Sequence, residues 1–134
     1  MPVSAMDGNT KRLDCPFCNL AARQLISRNE SGIAFFDAYP VSEGHALVVP
    51  HRHAAQYFEL SQDEKAGLWQ LVDRVVAQLE LQFHPDGFNV GFNVNEAGGQ
   101  TVFHTHIHII PRYAGDVAVP RGGIRNLIPG KGDY

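Results

Sequence analysis

The chain has 134 residues, of which 44% are hydrophobic and 19% are charged, and its formal net charge is −3. These values fit one globular domain that is long enough to bury a sizeable core. The weak negative charge excludes a general electrostatic attraction to nucleic acid or to a membrane surface, and no apolar run approaches the about 20 residues that span a bilayer. Because the N-terminus has neither a basic start nor an apolar core, it does not resemble a signal peptide, and we expect a cytoplasmic protein.

The N-terminal segment is organised around two cysteines. We predict a single domain over residues 1–134, in which residues 1–13 form a flexible lead-in and residues 19–24 a short helix. Cys15 and Cys18 form one Cys-x-x-Cys unit, and the chain has no other cysteine. In a reducing compartment this spacing indicates half of a metal site or, less often, a redox pair.

Three strands and a long helix are predicted next. Apolar and β-branched runs between turn residues predict strands over 25–28, 32–36 and 45–49. Ser61 and Glu64 have the spacing of a capping box. The apolar residues that follow recur at steps of three and four, which predicts one long helix packed on one face.

Residues 88–95 alternate strictly between apolar residues and Asn or Gly. This pattern predicts a half-buried strand with its apolar side on the core. Asparagine is disfavoured in strands, so the polar face either has a task or is simply exposed to solvent. The turn over 96–100 contains two glycines, which let backbone N–H groups approach a ligand closely, although hairpins also use Gly-Gly as a plain turn.

His104, His106 and His108 occupy every second position of the next segment. On a strand, all three rings would project from one face. A row of imidazoles is poor core material because each ring needs hydrogen-bond partners. Two chemistries fit: a catalytic zinc with water in its fourth position, or attack on phosphorus by one neutral imidazole whose second nitrogen is held by an acceptor. For the zinc mechanism, no nearby Glu or Asp is an obvious general base.

These elements predict an α+β fold with about five antiparallel strands, one long helix between the third and fourth strands, and a single core. If the turn over 96–100 is a hairpin, the asparagine and histidine strands are antiparallel neighbours. Residues 114–134 form an irregular tail rich in Gly and Pro. The basic residues from Arg112 onward could meet an anionic substrate or be ordinary solvated charges.

The segment from His104 to Ile110 resembles the His-x-His-x-His signature of the histidine triad family of nucleotide hydrolases and transferases. The resemblance is collinear over roughly residues 14–113. It includes further segments before and around the triad, namely Phe36-Asp37, Gly44 to Pro50, Asn95-Glu96, Gly99 to Phe103 and Pro111-Arg112. The tail from Arg121 is similar to that of a bacterial subgroup with no single assigned substrate.

The resemblance implies cleavage at the α-phosphate of a purine nucleotide conjugate that contains AMP or GMP. The substrate would be a nucleoside 5′-phosphoramidate or a dinucleoside polyphosphate, so the leaving group stays open. The reaction would pass through a covalent nucleotidyl-histidine without a catalytic cofactor. The resemblance also implies a homodimer. The alternatives are a zinc-dependent hydrolase and a nucleotide-binding module without chemistry.

The resemblance also assigns roles to three histidines. His106 would be the nucleophile that takes the nucleotidyl group. His108 would donate hydrogen bonds to phosphate oxygens and help the leaving group to depart. His45 would support the nucleophile.

Five further residues would bind the nucleotide. Phe36 would border the base and Asp37 would accept from the ribose hydroxyls. Asn95, Gln100 and Thr101 would position the phosphates, with plain turn packing as the alternative for the last two.

The two cysteines resemble those of zinc-bearing bacterial members of the family. The resemblance implies that His53 and His104 would join Cys15 and Cys18 of this chain in a structural zinc site. Two thiolates and two imidazoles form a closed tetrahedral set, which would release His104 from catalysis.

Overall fold

The computed structural model of the chain describes residues 12–20 and 24–133. The predicted lead-in therefore lies almost wholly outside the described residues. The centre of the predicted helix over 19–24 lies outside them too. Within the described part of the chain, no helix combines the length and the apolar character needed to cross a membrane.

The described residues contain five strands and one long helix. The strands are β1 (Leu25–Arg28), β2 (Gly32–Phe36), β3 (Ala46–Pro50), β4 (Gly87–Gly91) and β5 (Ile107–Arg112), and the helix is α1 (Gln62–Phe83). Short 3₁₀ turns occupy Tyr57–Glu59, Glu96–Gly98 and Gly123–Leu127. The strands form one antiparallel sheet in the order β1-β2-β3-β5-β4, which confirms the predicted fold class.

The predicted capping box fixes the start of α1. The Ser61 hydroxyl accepts from the Glu64 N–H at 3.1 Å, and the Glu64 carboxylate accepts from the Ser61 N–H at 2.8 Å. Arg52 donates two hydrogen bonds of 2.9 Å to the same carboxylate. These contacts, led by that of Arg52, lower the pKa of Glu64 to about 2.

Several strand boundaries differ from the prediction. The strand expected over 88–95 ends at Gly91, and the histidine strand begins only at Ile107; β3 begins one residue late, at Ala46. Asn95 has a φ of 63°, which is incompatible with an extended strand. Thr105 donates its N–H and its hydroxyl to the Ala54 carbonyl instead of pairing with a strand.

β4 and β5 are antiparallel neighbours as predicted, but their connection runs over 92–106 rather than through one tight hairpin. Phe88 and Phe92 pack against the core, whereas Val90 is 36% exposed. The apolar face of β4 is therefore only partly covered. The reason is that β4 is an edge strand, while α1 packs mainly over the other four strands.

The sheet has two different faces. The helix face contributes alternate residues such as Ala34, Val48 and Ile107 to a core completed by α1. The opposite face carries Ile33, Phe35, Leu47 and Val49 with Phe17 and Leu20 packed on them. Because side chains alternate along a strand, Ile107 and Ile109 face the helix and His108 faces away from it, directly paired with Leu47.

Candidate active site and metal centre

His106 is held in one tautomer by the backbone. Its Nδ1 lies 2.9 Å from the His104 carbonyl oxygen. Since a carbonyl only accepts, Nδ1 carries the proton and Nε2 carries the free lone pair. Burial lowers the pKa of His106, which keeps the ring neutral near pH 7. The acceptor that a nucleophilic imidazole requires is thus present, and it is a main-chain carbonyl.

His45 and His108 form a hydrogen-bonded pair beside His106. The Val41 N–H donates to His45 Nδ1 at 3.1 Å, and His45 Nε2 lies 3.0 Å from His108 Nδ1. Because His45 Nδ1 already accepts, its Nε2 must donate, and His108 Nδ1 must accept. His108 therefore carries its proton on Nε2, as a donor. The rings of His106 and His108 are 5.1 Å apart.

Asp37 adjoins this pair. One carboxylate oxygen lies 3.5 Å from His45 Nε2, and the other accepts from the Tyr39 N–H at 2.9 Å. Burial lowers the pKa of His45, and the charge of Asp37 partly opposes that effect. The four groups Asp37, His45, His106 and His108 thus form one polar cluster on the face of the sheet that lacks the helix.

The tautomer of His108 can be tested directly. Burial, together with the charges of His106 and His45, lowers the pKa of His108 to about 4, whereas an ordinary histidine titrates near 6.5. We expect ¹⁵N NMR to show a neutral ring with its proton on Nε2 at pH 6, and protonation only near pH 4. The unfolded chain takes up this proton at a higher pH than the folded one, so the free energy of unfolding should decrease as the pH falls from 6.5 to 4. A ring that titrates near 6.5, or that carries its proton on Nδ1, would contradict the assignment.

Cys15, Cys18, His53 and His104 converge on one point. One ligand atom from each lies within 4.8 Å of the others. The His104 Nδ1 is 3.4 Å from both sulfurs, and the His53 Nδ1 is 3.2 Å from that of Cys18. His104 Nε2 lies 3.0 Å from the Pro50 carbonyl oxygen, which places its proton there and leaves Nδ1 free as a ligand.

The donor set suits zinc. Burial and the hydrogen bond with Cys18 raise the pKa of the Cys15 thiol to about 11, so this thiol is protonated unless a cation stabilises its thiolate. Two sulfurs and two imidazole nitrogens are the donors of a closed, structural zinc site. Such an ion would tie the N-terminal loop to the start of the histidine segment.

The three triad histidines do not converge on a common point. His104 belongs to the cysteine cluster, and His106 directs Nδ1 to a backbone carbonyl. The other candidate ligand group among the described residues combines His108 with Asp37 and His45. This geometry does not favour the interpretation in which all three triad histidines hold one catalytic zinc.

Comparison with known proteins identifies the family. The HIT domain model matches residues 21–115, which is more than half of the chain. The chain belongs to the HIT family. An uncharacterised HIT-like protein of Mycoplasma genitalium is 37% identical over 112 residues, covering 81% of this chain and 79% of that protein.

Two further relatives of this HIT domain carry enzyme names. An adenosine 5′-monophosphoramidase of Schizosaccharomyces pombe is 35% identical over 104 residues, or 75% of each chain. An AP-4-A phosphorylase of Mycobacterium tuberculosis is 33% identical over 93 residues, which are 69% of this chain but only 48% of that enzyme.

Solved structures agree with the HIT fold. A Streptococcus mutans protein superposes with a TM-score of 0.76 at 33% identity, covering 87% of this chain and 75% of the other. A zinc-bound histidine triad family protein of Mycobacterium smegmatis gives a TM-score of 0.73 at 29% identity, covering 80% and 81%.

Asn95, Gln100 and Thr101, the loop residues that were predicted to position the phosphates, lie in different surroundings. Gln100 is buried, and its side-chain amide bonds to the backbone of Asn95, Ala55 and Val102. The N–H groups of residues 98–100 bond back to the carbonyls of residues 95 and 96. Asn95 is exposed, and Thr101 lies beside Cys15 and His53. For Gln100, these contacts favour the turn-packing alternative.

The structure does not bring Phe36 to the histidines. Phe36 packs on Phe83 of α1, with ring centroids 6.1 Å apart. Its neighbour Phe35 lies on the histidine face, 5.7 Å from Phe17, whose ring in turn lies 5.0 Å from that of His106. Sequence reasoning missed Phe17 and Phe35. For Phe17 a signal was available, since it stands inside the Cys-x-x-Cys unit.

Proposed function

We propose that this HIT domain is a nucleotidyl hydrolase or transferase that cleaves purine nucleotide conjugates at the α-phosphate through a covalent intermediate on His106. The observation that carries the proposal is the fixed tautomer of His106, whose Nδ1–H is held by a carbonyl while its Nε2 keeps a free lone pair. The names of the phosphoramidase and phosphorylase relatives support the same substrate class.

In the first step, the lone pair of His106 Nε2 forms a bond to phosphorus, and the bond to the leaving group breaks. The leaving group departs with that electron pair and, if it is an amine, takes up a proton from solvent. The resulting imidazolium keeps its Nδ1–H on the His104 carbonyl, which stabilises the positive charge. The Nε2–H of His108 donates to the phosphate oxygens or to the departing atom.

In the second step, water attacks phosphorus and displaces His106, which releases a nucleoside monophosphate. Water loses one proton in this step, which balances the proton gained by the leaving amine. The neutral state of both histidines, favoured by burial, preserves the lone pair for attack and the donor for the oxygens.

The nucleoside is expected beside Phe17, the half-buried ring next to His106. The exposed part of this ring offers apolar contact to a purine, while Phe35 is fully buried and packs against Phe17. Asp37 would accept from the ribose hydroxyls, since its carboxylate lies beside the histidine cluster. Asn95 and Thr101 stay as proposed phosphate-loop residues.

The zinc, the homodimer and the cytoplasmic location belong to the same proposal. The sulfur and nitrogen cluster and the zinc-bound neighbour support a structural zinc ion. The edge strand β4, with its exposed Val90, offers unpaired backbone groups for a second sheet. Sedimentation equilibrium would test the dimer.

The proposed function is tested with a panel of adenosine and guanosine 5′-phosphoramidates and dinucleoside polyphosphates, with zinc content measured in parallel. We expect release of the nucleoside monophosphate, and quenched reactions should contain protein heavier by one nucleotidyl group. Tight AMP binding without any turnover would support a binding module instead. Turnover that needs added zinc and gives no adduct would support a zinc hydrolase.

A further inference from the structure

The Cys-x-x-Cys unit places its two sulfurs close enough to bond to each other. The Cys18 N–H donates to the Cys15 carbonyl at 3.2 Å, which closes a turn whose end Cα atoms lie within about 7 Å. Both sulfurs lie 3.4 Å from the same atom, His104 Nδ1, and within 4.8 Å of each other. A disulfide needs a sulfur–sulfur distance of about 2.05 Å, so a local movement of this turn is enough to join them. The chain has no third cysteine that could compete.

The two cysteines differ in their access to solvent. Cys15 lines a cavity of about 230 Å³, whereas Cys18 does not line it and is only 2% exposed. The cavity opens to solvent, since Pro16, Thr101 and Phe103 of its wall are exposed. A molecule as small as hydrogen peroxide can therefore approach Cys15 before Cys18.

Arg12 offers a cation at the same cavity. Its side chain belongs to the cavity wall, and its Nε is buried with no hydrogen-bond partner among the described residues. Asn19 donates hydrogen bonds of 2.9 Å to the carbonyls of both Arg12 and Cys15, so the two residues belong to one bonded loop. A buried guanidinium N–H without a partner is unfavourable. A peroxide oxygen beside Cys15 would accept from it, and the charge of Arg12 would stabilise the hydroxide that forms as the peroxide is cleaved.

We propose that Cys15 and Cys18 are an oxidation site, at which a hydroperoxide converts the pair to a disulfide and releases the proposed zinc ion. The Cys15 sulfur attacks one oxygen of hydrogen peroxide, the O–O bond breaks, and hydroxide leaves beside Arg12 with the bonding electrons. Cys15 is then a sulfenic acid. The Cys18 sulfur attacks the Cys15 sulfur and displaces its hydroxyl group as a second hydroxide. Two thiolates and one peroxide thus give one disulfide and two hydroxides, and two electrons pass from sulfur to oxygen.

Oxidation has two consequences for the rest of the molecule. A disulfide leaves His53 and His104 without the two thiolates that complete the zinc donors, so the ion is lost. Phe17 lies inside the ring that the disulfide closes, so its contact with the His106 ring, at 5.0 Å between centroids, changes as well. A thiol reductant reverses both effects. The disulfide and the zinc release do not depend on the proposed function, and only the accompanying loss of turnover rests on it.

The test treats the reduced, zinc-loaded protein with hydrogen peroxide at a concentration that fully oxidises free cysteine. We expect a coloured chelator to detect one zinc ion released per chain, and peptide mapping of the same samples to find a disulfide between Cys15 and Cys18. Dithiothreitol with added zinc should restore the starting mass and metal content. Zinc retained with both thiols reduced, or oxidation to sulfinic acids without a disulfide, would overturn the proposal.

The order of attack and the role of Arg12 are tested separately. With dimedone present during oxidation of the wild type, the trapped sulfenic acid should map to Cys15, and an adduct mainly on Cys18 would overturn the assigned order. Arg12→Gln should slow disulfide formation roughly tenfold, the contribution of one hydrogen bond to a charged group. The matched control is Arg74→Gln, which alters an exposed arginine on α1 and should leave the rate unchanged. An unchanged rate in Arg12→Gln would remove that residue from the site.

A last measurement separates the oxidation site from the proposed function. In the oxidised protein, the ¹⁵N NMR signals of His106 should shift, and release of the nucleoside monophosphate should fall and then return on reduction. Unchanged His106 signals would overturn the coupling between the cysteine pair and the histidine cluster. Disulfide formation with zinc release, in a protein without turnover in either state, would support the oxidation site and contradict the proposed chemistry.

Discussion

Replacing His106 by alanine is expected to reduce nucleotide release by roughly 10⁴-fold or more, as loss of a nucleophile does in other covalent catalysts. The covalent adduct should disappear with it. The reason is that, of the three triad rings, only His106 combines a held Nδ1–H with a free Nε2, whereas His108 donates through Nε2 and His104 faces the cysteine cluster. The measurement is product release with each substrate of the panel, together with the mass of the acid-quenched protein.

A histidine outside the cluster provides the matched control. His84 caps the C-terminus of α1 with a φ of 53°, a conformation that asparagine tolerates. His84→Asn should therefore retain both turnover and adduct. Because Phe17 packs on the ring of His106, thermal unfolding of His106→Ala must show that the variant is folded. A folded His106→Ala variant with undiminished turnover would remove this residue from the mechanism.

The elements with strong local signals were predictable from sequence. The turn residues around Asn29 fixed the ends of β1 and β2, and the capping box fixed the start of α1. The strand ends near the site depend instead on tertiary contacts. The hydrogen bond from Thr105 to the Ala54 carbonyl joins residues 51 positions apart, and no local sequence pattern predicts it.

The choice between Phe35 and Phe36 shows a different limit. β2 is apolar at every position because both faces of the sheet are covered there. A continuous apolar run does not reveal which residues face the helix. The alternation that separated His106 and His108 from Ile107 and Ile109 was readable only because polar and apolar residues alternate over residues 106–109.

The C-terminal tail has no hydrophobic periodicity from which its position on the sheet could be predicted. Its self-bonded turn over Gly123–Leu127 and its position on β4 and β5 follow from close glycine packing and from side-chain bonds to carbonyls. From the sequence alone, the basic residues of the tail could either contact an anionic substrate or be ordinary solvated charges. In the structure, Arg112 is paired with Asp116, and Arg121 lies 3.6 Å from Asp133.

Loss of zinc is expected to have the second large effect. Cys18→Ser removes the sulfur that lies near both His53 and His104. We expect the wild type to contain one zinc ion per chain and the variant to contain almost none. If free zinc is a thousandfold above its Kd, the lost binding should lower the free energy of unfolding by about 4 kcal/mol. The measurements are metal content by mass spectrometry and chemical denaturation with and without zinc.

The expected effect of zinc loss extends to His106 through His104. Its ring faces the metal cluster, and its carbonyl holds the Nδ1–H of His106. Phe17, which lies inside the Cys-x-x-Cys loop, also packs against the ring of His106. In ¹⁵N NMR spectra of the zinc-free protein, His106 should therefore populate both neutral tautomers. His51→Asn is the matched control, because it removes only a hydrogen bond to the Asn29 carbonyl and should retain the metal. Full zinc content in Cys18→Ser, or an unchanged His106 tautomer without zinc, would contradict this coupling.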